Sequence, residues 1–426
     1  MRWWCLLGLY LLGALSLAAV AGESLPEPMA LADALRLARD QVPRRLQAEA
    51  ERMTGVAAVR ESAALEGVHL TLGGELRLIQ PSSLATNQDH NGSLAHLLLE
   101  KRLYDAGYST ARETAAQARL EAGQWRVRAA RQEQALAIMQ AFYDVLLADL
   151  AFARDNEAMS VAYVRLDGER DRLELGQLSA LDLLALESRY EEAHRAQLRS
   201  AARQRTVRSR LALVLGRPGE LSSELVMPDI EVEAPSGETF ETFWDQVREC
   251  HPRLRALVAE LRAARAVLAA ARASRGPVLS ARVEAGAWHR RTGSTHPLAG
   301  GVHVEWPLLD AGRREAAVVR AEAALTRAQA AWQAGLQEVR QQALEAWLAR
   351  ETLAAELKSL QGEEDYRDLY LDHSRALYEQ EIKTDLGDAM VRISEVRLKM
   401  AQVRFDWALN EARLRAMTGE LLEDLP

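Results

Sequence analysis

The distribution of proline constrains the fold of this chain more than any other feature of its sequence. All 12 prolines lie outside residues 82–217 and 308–425. Because proline breaks the interior of a helix, these two stretches are free to form very long helices. Both are rich in Ala, Leu, Glu, Arg and Gln, which have high helix propensity. Apolar residues recur there every three or four positions, which is typical of a coiled coil or a long amphipathic helix. The clearest series is Leu325, Ala328, Trp332, Leu336, Val339, Ala343 and Trp347.

The order of short motifs indicates an internal duplication. Leu103–Gly107 corresponds to Leu308–Gly312, which lies 205 positions later. Motifs that keep their order at nearly constant spacing are expected from duplicated halves with altered loops. Further pairs in the same order are Pro43 with Pro252, Gly67 with Gly276, Asp182 with Asp385, and Gly216 with Gly419. We predict a first repeat at 22–216, a proline-containing linker at 217–237, and a second repeat at 238–426, with long helices at 110–175 and 312–378.

Each repeat also contains segments in which apolar and polar residues alternate. Residues 67–103 and 277–308 predict two β-hairpins, with strands of about ten residues, the length that crosses a bilayer when tilted. Residues 94–103 fit this pattern poorly, because three leucines are consecutive at 97–99. The alternative is a pair of solvent-facing hairpins on a soluble domain. The polar residues expected to face a watery interior are His69, Glu75, Arg77, Arg282, Glu284, His303 and Glu305.

Four strands per chain predict an assembly of several copies. Four strands cannot close a barrel, and an open sheet edge is not tolerated in lipid. Two copies would supply eight strands, whose interior is filled by side chains, whereas three copies would supply 12 and leave a lumen. The smallest assembly with a pore is therefore a homotrimer. The predicted fold class is mainly α with a small β part, in two repeats of one hairpin and long antiparallel helices.

The N-terminus predicts export from the cytoplasm. Arg2 is followed by an apolar run that ends in Ala19-Val20-Ala21. A positive start, a short apolar core and an A-x-A site are typical of a cleaved signal peptide, here residues 1–21. The alternative is an uncleaved inner-membrane anchor. No later stretch of the sequence is as long and as apolar as a helix that crosses a bilayer.

Composition excludes several classes of function. The formal net charge of −8 argues against a nucleic-acid partner. Two cysteines, Cys5 and Cys250, exclude a disulfide framework. The sequence contains no glycine-rich phosphate loop, nucleophile elbow or H-E-x-x-H motif, so we predict neither an enzyme nor a cofactor. Six histidines lie in or beside the hairpins, but no set has metal-ligand spacing, so we predict no metal site. They are His69, His90, His96, His289, His296 and His303.

These motifs and their duplication resemble the TolC-type outer-membrane efflux protein family. The resemblance is carried by the strand-to-helix turns with Asp105, Gly107, Asp310 and Gly312, and by the helix-end phrases at 215–216 and 417–421. It implies a homotrimer with a 12-stranded β-barrel and a periplasmic α-helical tunnel. It also implies a location in the outer membrane, in contact with lipid and extending into the periplasm. Its partners would be a periplasmic adaptor protein and an inner-membrane pump of the RND, ABC or a similar class.

Two carboxylates correspond to the closed periplasmic entrance of this family. Asp385 and Asp388 match its D-x-x-D spacing. Residues three apart share a helix face, so threefold symmetry would bring six carboxylates into one narrow mouth, where they would attract cations. The alternative is a helix N-terminus with Thr384 as the N-cap, where acidic residues are favoured in the first turn.

The predicted helix-turn-helix tips resemble the family's adaptor-docking sites. The residues that would dock the adaptor are Gly176, Leu178, Ser179 and Leu181 at the first tip, and Ile382, Lys383 and Thr384 at the second. At the first tip, Ser179 and Asp182 also form a capping box, which explains them without a partner. The second tip has Glu379 where the family usually has glycine, so the two tips are not expected to be equivalent.

The main rival interpretation is a periplasmic adaptor or another exported coiled-coil scaffold. An adaptor would have one helical hairpin between Gly- and Val-rich β-domains, whereas this sequence has two equivalent halves that are mostly helical. If the protein is an efflux channel, its sequence does not indicate the exported cargo, because the inner-membrane pump of such a system selects the cargo.

Overall fold

The computed structural model describes residues 26–37, 43–220, 224–232, 237, 239–291, 296–380 and 385–422. The predicted signal peptide lies outside the described residues. The described part of the chain is mainly helical and contains four strands. In the first half the elements are α1 (Leu31–Leu37), α2 (Pro43–Ala64), β1 (Val68–Glu75), β2 (Leu94–Tyr104), α3 (Tyr108–Glu174) and α4 (Ala180–Val214). In the second half they are α5 (Phe240–Cys250), α6 (Pro252–Ala273), β3 (Val278–Trp288), β4 (Leu298–Glu305), α7 (Arg313–Glu379) and α8 (Leu386–Thr418).

The four strands form one antiparallel sheet in the order β1-β2-β3-β4. The two hairpins are therefore neighbours, joined by the pairing of β2 with β3. The cross-strand register places His69 opposite Glu100, and Glu100 opposite Arg282. Among the described residues, no strand pairs with the outer edge of β1 or of β4. The sheet thus ends in two open edges.

Two long helices form the body of the molecule. α3 and α7 each contain 67 residues, which corresponds to about 100 Å of helix. α3 packs against α2 and α4, and α7 packs against α6 and α8, so each long helix lies beside two shorter ones. α3 also packs against α6 and α8, which joins the two halves of the chain.

A belt around the middle of these helices contains the main apolar core. α1, α3, α4, α8 and residues of the predicted linker meet there. Phe142 and Val145 of α3 are fully buried, and the Tyr143 ring stacks on Phe405 of α8 at a centroid distance of 4.6 Å. Burial raises the pKa of Tyr143 to about 12. The linker takes part in this belt, because Met29 forms a parallel bridge with Leu225.

One described helix is apolar enough to pass a test for a membrane span. α3 contains an 18-residue window with a mean hydropathy of 1.6, of which 44% is buried in the protein. The sequence analysis did not anticipate a window of this kind. Ile138, Phe142 and Val145 of α3 are core residues of the belt, so packing within the chain accounts for the apolar character of this part of α3.

Candidate functional site

The sheet has one polar face and one apolar face, as its register requires. Side chains alternate between the two faces along each strand. The polar face carries His69, Glu75, Glu100, Arg102, Arg282, Glu284, His303 and Glu305. The sequence analysis expected six of these on one face, and the register brings them together. Near its helix-proximal end this face forms a polar groove with a volume of about 200 Å³.

Glu100 and Arg102 on β2 are members of the polar face that sequence reasoning missed. Glu100 accepts a hydrogen bond from Arg282 of β3 at 2.9 Å. Arg102 donates to Asp105 at 3.3 Å. The consecutive leucines of β2 interrupt the alternation of apolar and polar residues along the strand, because Leu98 lies on the polar face, opposite Glu284. The signal that could have found them is the two-residue spacing from His96 through Leu98 to Glu100 and Arg102.

The other face of the sheet is apolar and largely exposed in the single chain. Leu72 is 78% exposed, and Val302 and Val304 are 63% and 60% exposed. Soluble proteins rarely present an apolar face of this extent to water. Tyr104 and Trp306 are exposed at the end of the sheet that meets the helices, where amphipathic rings favour a membrane–water boundary.

The first strand-to-helix turn is held by a buried carboxylate. Asp105 accepts hydrogen bonds from the backbone N–H of Ser109 at 2.9 Å, from the Ser109 hydroxyl, and from Arg102. Burial alone would raise the pKa of Asp105, but these hydrogen bonds together hold it below its ordinary value. Ala106 and Gly107 have φ values of 57° and 86°, a left-handed conformation that glycine adopts without strain. The turn redirects the chain from β2 into α3.

The second turn repeats this geometry with fewer contacts. The Asp310 carboxylate accepts a hydrogen bond from the backbone N–H of Arg314 at 3.1 Å. Ala311 and Gly312 have φ values of 52° and 83°. The Asp310 side chain is 26% exposed, compared with 9% for Asp105. The same motif therefore has the same backbone geometry in both halves, but a more buried anchor in the first.

The two candidate gate carboxylates lie at the beginning of α8. Asp385 is itself the N-cap, and its carboxylate accepts the Asp388 N–H at 3.2 Å. The alternative that placed the N-cap at Thr384 was therefore wrong by one residue. Arg165 of α3 donates to Asp385 at 2.6 Å, and Arg392 lies 3.8 Å from Asp388. Each carboxylate therefore has an arginine at ion-pair distance.

Further contacts hold the first turns of α8 against α3. The Ser394 hydroxyl donates to Glu157 of α3 at 2.6 Å. A Cβ atom added at Gly387 would lie 2.6 Å from a methyl group of Val161. A side chain at position 387 would force the two helices apart, so glycine permits their close approach. These contacts tie the second repeat to the first beside Asp385.

The first tip is a tight turn between α3 and α4. Gly176 has a φ of 71°, in the left-handed region. Ser179 is the N-cap of α4 and accepts the Asp182 N–H at 3.1 Å, which is one half of the predicted capping box, and its hydroxyl donates to the Asp182 carboxylate at 2.6 Å. Leu178 is partly buried, whereas Leu181 is 77% exposed. The docking candidates thus include both structural and exposed residues.

Two further leucines at this tip were missed by the sequence analysis. Leu175 and Leu184 are 70% and 61% exposed. Together with Leu181 they make the first tip an apolar surface. The signal that could have found Leu184 is its three-residue spacing from Leu181 on the same helix. The second-tip candidates Ile382, Lys383 and Thr384 lie outside the described residues.

The histidines of the hairpins do not form a metal site in the part of the chain that the structure describes. No group of three or more His, Cys, Asp or Glu side chains converges there. His289 lies 3.0 Å from Asp89 in the loop region, as an isolated pair. Cys250 is exposed and has a free thiol.

Comparisons with known proteins agree with this architecture. Residues 244–420 match the family model described as outer membrane efflux protein. The fold of this chain is that of the TolC-type outer-membrane channels. The crystal structure of the CmeC outer membrane channel of Campylobacter jejuni matches with a TM-score of 0.76 and 14% sequence identity, over 96% of this chain and 91% of that one.

Two further solved structures have the same fold. VceC, an outer membrane protein of Vibrio cholerae, matches with a TM-score of 0.73 and 15% identity, over 92% of this chain and 96% of that one. The MtrE outer membrane channel of Neisseria gonorrhoeae matches with a TM-score of 0.69 and 18% identity, over 92% and 89% of the two chains. No curated protein matches the sequence.

These matches confirm the predicted resemblance to TolC-type proteins and the predicted fold class. The matched family is one of outer-membrane efflux proteins, which are channels rather than enzymes. The predicted location in the outer membrane agrees with it.

Proposed function

We propose that this protein is the outer-membrane exit channel of a tripartite efflux system and works as a homotrimer. An inner-membrane pump would deliver the cargo, and a periplasmic adaptor would dock at the tips. The observation that carries the proposal is the four-stranded sheet with one apolar exposed face, one polar face and two open edges.

The two faces of the sheet suit lipid on one side and water on the other. The apolar face would contact the hydrocarbon core, and the charged face would line a lumen. An open edge in lipid leaves backbone N–H and C=O groups unpaired, at a cost of several kcal/mol for each group. Three copies would pair every edge and close 12 strands around a lumen.

Exposed apolar residues on the outer helices support association of copies. The sheet order places α2 and α4 on one side of the protomer and α7 on the other. Both sides expose large apolar residues, which are Leu46, Met53, Leu198 and Leu213 on the first, and Val319, Leu348, Tyr366 and Leu369 on the second. Association of three copies would remove these side chains from water and build a closed helical tunnel.

The contacts at the start of α8 support a gate based on ion pairs rather than on unpaired acids. In a threefold mouth, each Asp385 would bring an Arg165, and each Asp388 an Arg392. We propose that the arginines balance the carboxylates, so that the closed entrance is held by α3–α8 contacts. Opening would require Arg165 to leave Asp385.

Conductance across a planar bilayer tests both the channel and the gate. Asp385→Asn combined with Asp388→Asn removes two charges per chain, while an amide oxygen can still cap the helix. We expect the wild type to form pores with low conductance, and the double variant to conduct more and to prefer cations less. Asp372→Asn on α7 is the matched control, because Asp372 is 73% exposed.

The outcomes separate the two parts of the proposal. If the purified wild type forms no pores and remains a monomer without detergent, the channel assignment is wrong. If it forms pores but the double variant behaves like Asp372→Asn, the channel stands and the gate assignment is wrong.

A further inference from the structure

A cavity of about 580 Å³ lies where the end of α8 meets the beginning of α6. α8 ends at Thr418 and α6 begins at Pro252, and both helices pack against α3 and α7. A Cβ atom added at Gly419, the residue after α8, would lie 3.7 Å from the Cys250 carbonyl oxygen. The volume of this cavity is within the range of sites that bind small organic molecules.

The walls of the cavity are helix faces with small side chains. α3 contributes four lining residues between 129 and 136, and α7 contributes four between 342 and 349, in both cases at positions i, i+3, i+4 and i+7. This spacing is that of a single helix face. Ala129, Ala346 and Ala349 are among these residues. Because alanine side chains are short, the helices meet without filling the space between them.

The floor of the cavity carries a buried amide that has no partner. Gln132 of α3 is 5% exposed, and its Nε2 has no hydrogen-bond partner among the described residues. The neighbouring Asn410 of α8 is 4% exposed, but its Nδ2 donates to the Ala346 carbonyl oxygen at 2.9 Å. Buried donors are nearly always paired. The Gln132 amide therefore points to an acceptor that occupies the cavity.

His251 adds a second donor to the cavity lining. Its Nδ1 accepts the Arg253 N–H at 3.2 Å. Burial, together with the charge of Arg253, lowers the pKa of His251 to about 4, so the ring is neutral at pH 7. A neutral imidazole whose Nδ1 is an acceptor carries its proton on Nε2. The ring stands at the N-terminus of α6, the end of a helix that favours anions. Gln132, His251 and this helix end together suit a carboxylate.

The mouth of the cavity carries two carboxylates. Glu133 of α3 and Glu345 of α7 line the cavity and are exposed. Arg253 also lines it, but Glu338 binds its guanidinium at two nitrogens, at 2.8 and 2.7 Å. Arg413 lines it as well, and its charge lowers the pKa of Asp406 against the effect of burial, which raises it. The two glutamates therefore suit a cationic group of a ligand.

We propose that this cavity binds a small amphipathic zwitterion. Its carboxylate accepts hydrogen bonds from Gln132 and His251, and its ammonium group lies at the mouth beside Glu133 and Glu345. Its apolar part packs against Leu136 and the alanines of the walls. The site is formed within one chain, so the inference does not rest on the proposed trimer.

Three compounds with the same fluorescent apolar group separate the two charges of such a ligand. Nε-dansyl-lysine carries a carboxylate and an ammonium group, dansylglycine only the carboxylate, and dansylcadaverine only the ammonium group. Each is titrated at pH 7 into the full-length protein in lipid nanodiscs, and the fluorescence with empty nanodiscs is subtracted. We expect saturable binding of Nε-dansyl-lysine at least about fivefold tighter than binding of either other compound. The absence of saturable binding would mean that the cavity holds only water, and equal affinity for the three compounds would mean that it does not recognise a zwitterion. Either result overturns the proposal.

Two substitutions assign the two ends of the ligand. Gln132→Met keeps the length of the side chain and removes the amide, so binding of Nε-dansyl-lysine and dansylglycine should weaken at least about fivefold, with dansylcadaverine unchanged. Glu345→Gln, at an exposed position, should weaken only the two compounds that carry an ammonium group. Gln140→Met is the matched control on α3, because Gln140 does not line the cavity and donates to Asp144 at 3.1 Å.

Thermal unfolding of each variant separates a loss of folding from a loss of binding. Equal effects of Gln132→Met and Gln140→Met on binding would overturn the assignment of the cavity. If Gln132→Met does not fold, Glu345→Gln decides the matter, because unchanged binding of Nε-dansyl-lysine by this variant contradicts the proposed position of the ammonium group.

Discussion

The belt and the sheet make opposite use of apolar residues. In the belt, Phe142 and Val145 are fully buried within one chain. In the sheet, Leu70 and Leu72 are 62% and 78% exposed in the same chain. The belt is therefore complete within one chain, whereas under the proposed function the sheet would be covered by lipid and further copies. On that proposal, folding of the helices and closure of a barrel are separable, and substitutions in the two regions should affect different measurements.

The largest expected effect is loss of a buried belt side chain. Phe142→Ala leaves a cavity in the core and should lower the free energy of unfolding by about 3–5 kcal/mol. Leu72→Ala is the control on the sheet, where we expect a loss of less than about 0.5 kcal/mol in chains that have dissociated from the proposed trimer. Denaturant unfolding followed by circular dichroism measures both. Equal losses would show that the sheet is packed within the chain, contrary to the comparison.

A smaller effect is expected at the strand-to-helix turns, which join the two regions. Asp105→Ala leaves the Ser109 N–H without its acceptor and should cost about 2 kcal/mol, whereas Asp310→Ala should cost about 1 kcal/mol. The difference follows from the greater burial of Asp105. The same unfolding measurement on both variants tests it, and a larger loss for Asp310→Ala would contradict it.

A pH-dependent effect is expected at the beginning of α6, beside the belt. His251 caps this helix, because its Nδ1 accepts the Arg253 N–H at 3.2 Å. Burial, together with the charge of Arg253, lowers the pKa of His251 to about 4. The pKa of this side chain in the unfolded protein is near 6.5. The stability that neutral His251 contributes to the fold is therefore present above about pH 6.5 and is lost as the pH falls toward 4. Protonation of Nδ1 would also remove the cap.

His251→Asn isolates this effect, because asparagine caps a helix without titrating in this range. We expect the variant to lose less stability than the wild type between pH 6.5 and pH 4, with similar stability at pH 8. Thermal unfolding across this pH range is the measurement. Parallel pH profiles for the two proteins would rule out His251 as the source.

The smallest effect on stability is expected at the tip, where the function should change most. The Arg165 and Asp385 side chains are 43% and 49% exposed, so solvent screens their ion pair. Arg165→Ala should leave the unfolding midpoint nearly unchanged but raise the single-channel conductance and its preference for cations. Arg375→Ala on α7 is the control, because Arg375 is also exposed and pairs with a neighbour on its own helix. A conductance equal to that of the control would exclude Arg165 as a gate contact.

Parts of the site were beyond sequence reasoning because they depend on packing between distant segments. Glu100 was missed because the leucines of β2 obscure its alternation, and only pairing with β3 reveals its partner Arg282. α1 and α5 were not predicted, because each is short and its apolar residues are buried only by packing against the long helices. The arginine beside Asp385 comes from α3, 220 residues earlier in the chain. No local pattern connects them.

The sequence by itself determined the two repeats, the long helices, the alternating strands and the turns that join them. These features follow from local rules, namely the placement of proline, apolar periodicity and left-handed glycines, which act within a few residues. Only the tertiary structure decided that β2 pairs with β3, that the linker joins the belt, and that arginines accompany Asp385 and Asp388. Those outcomes depend on which surfaces meet when separate segments pack, and the free energy of such contacts is set by three-dimensional proximity rather than by position along the chain.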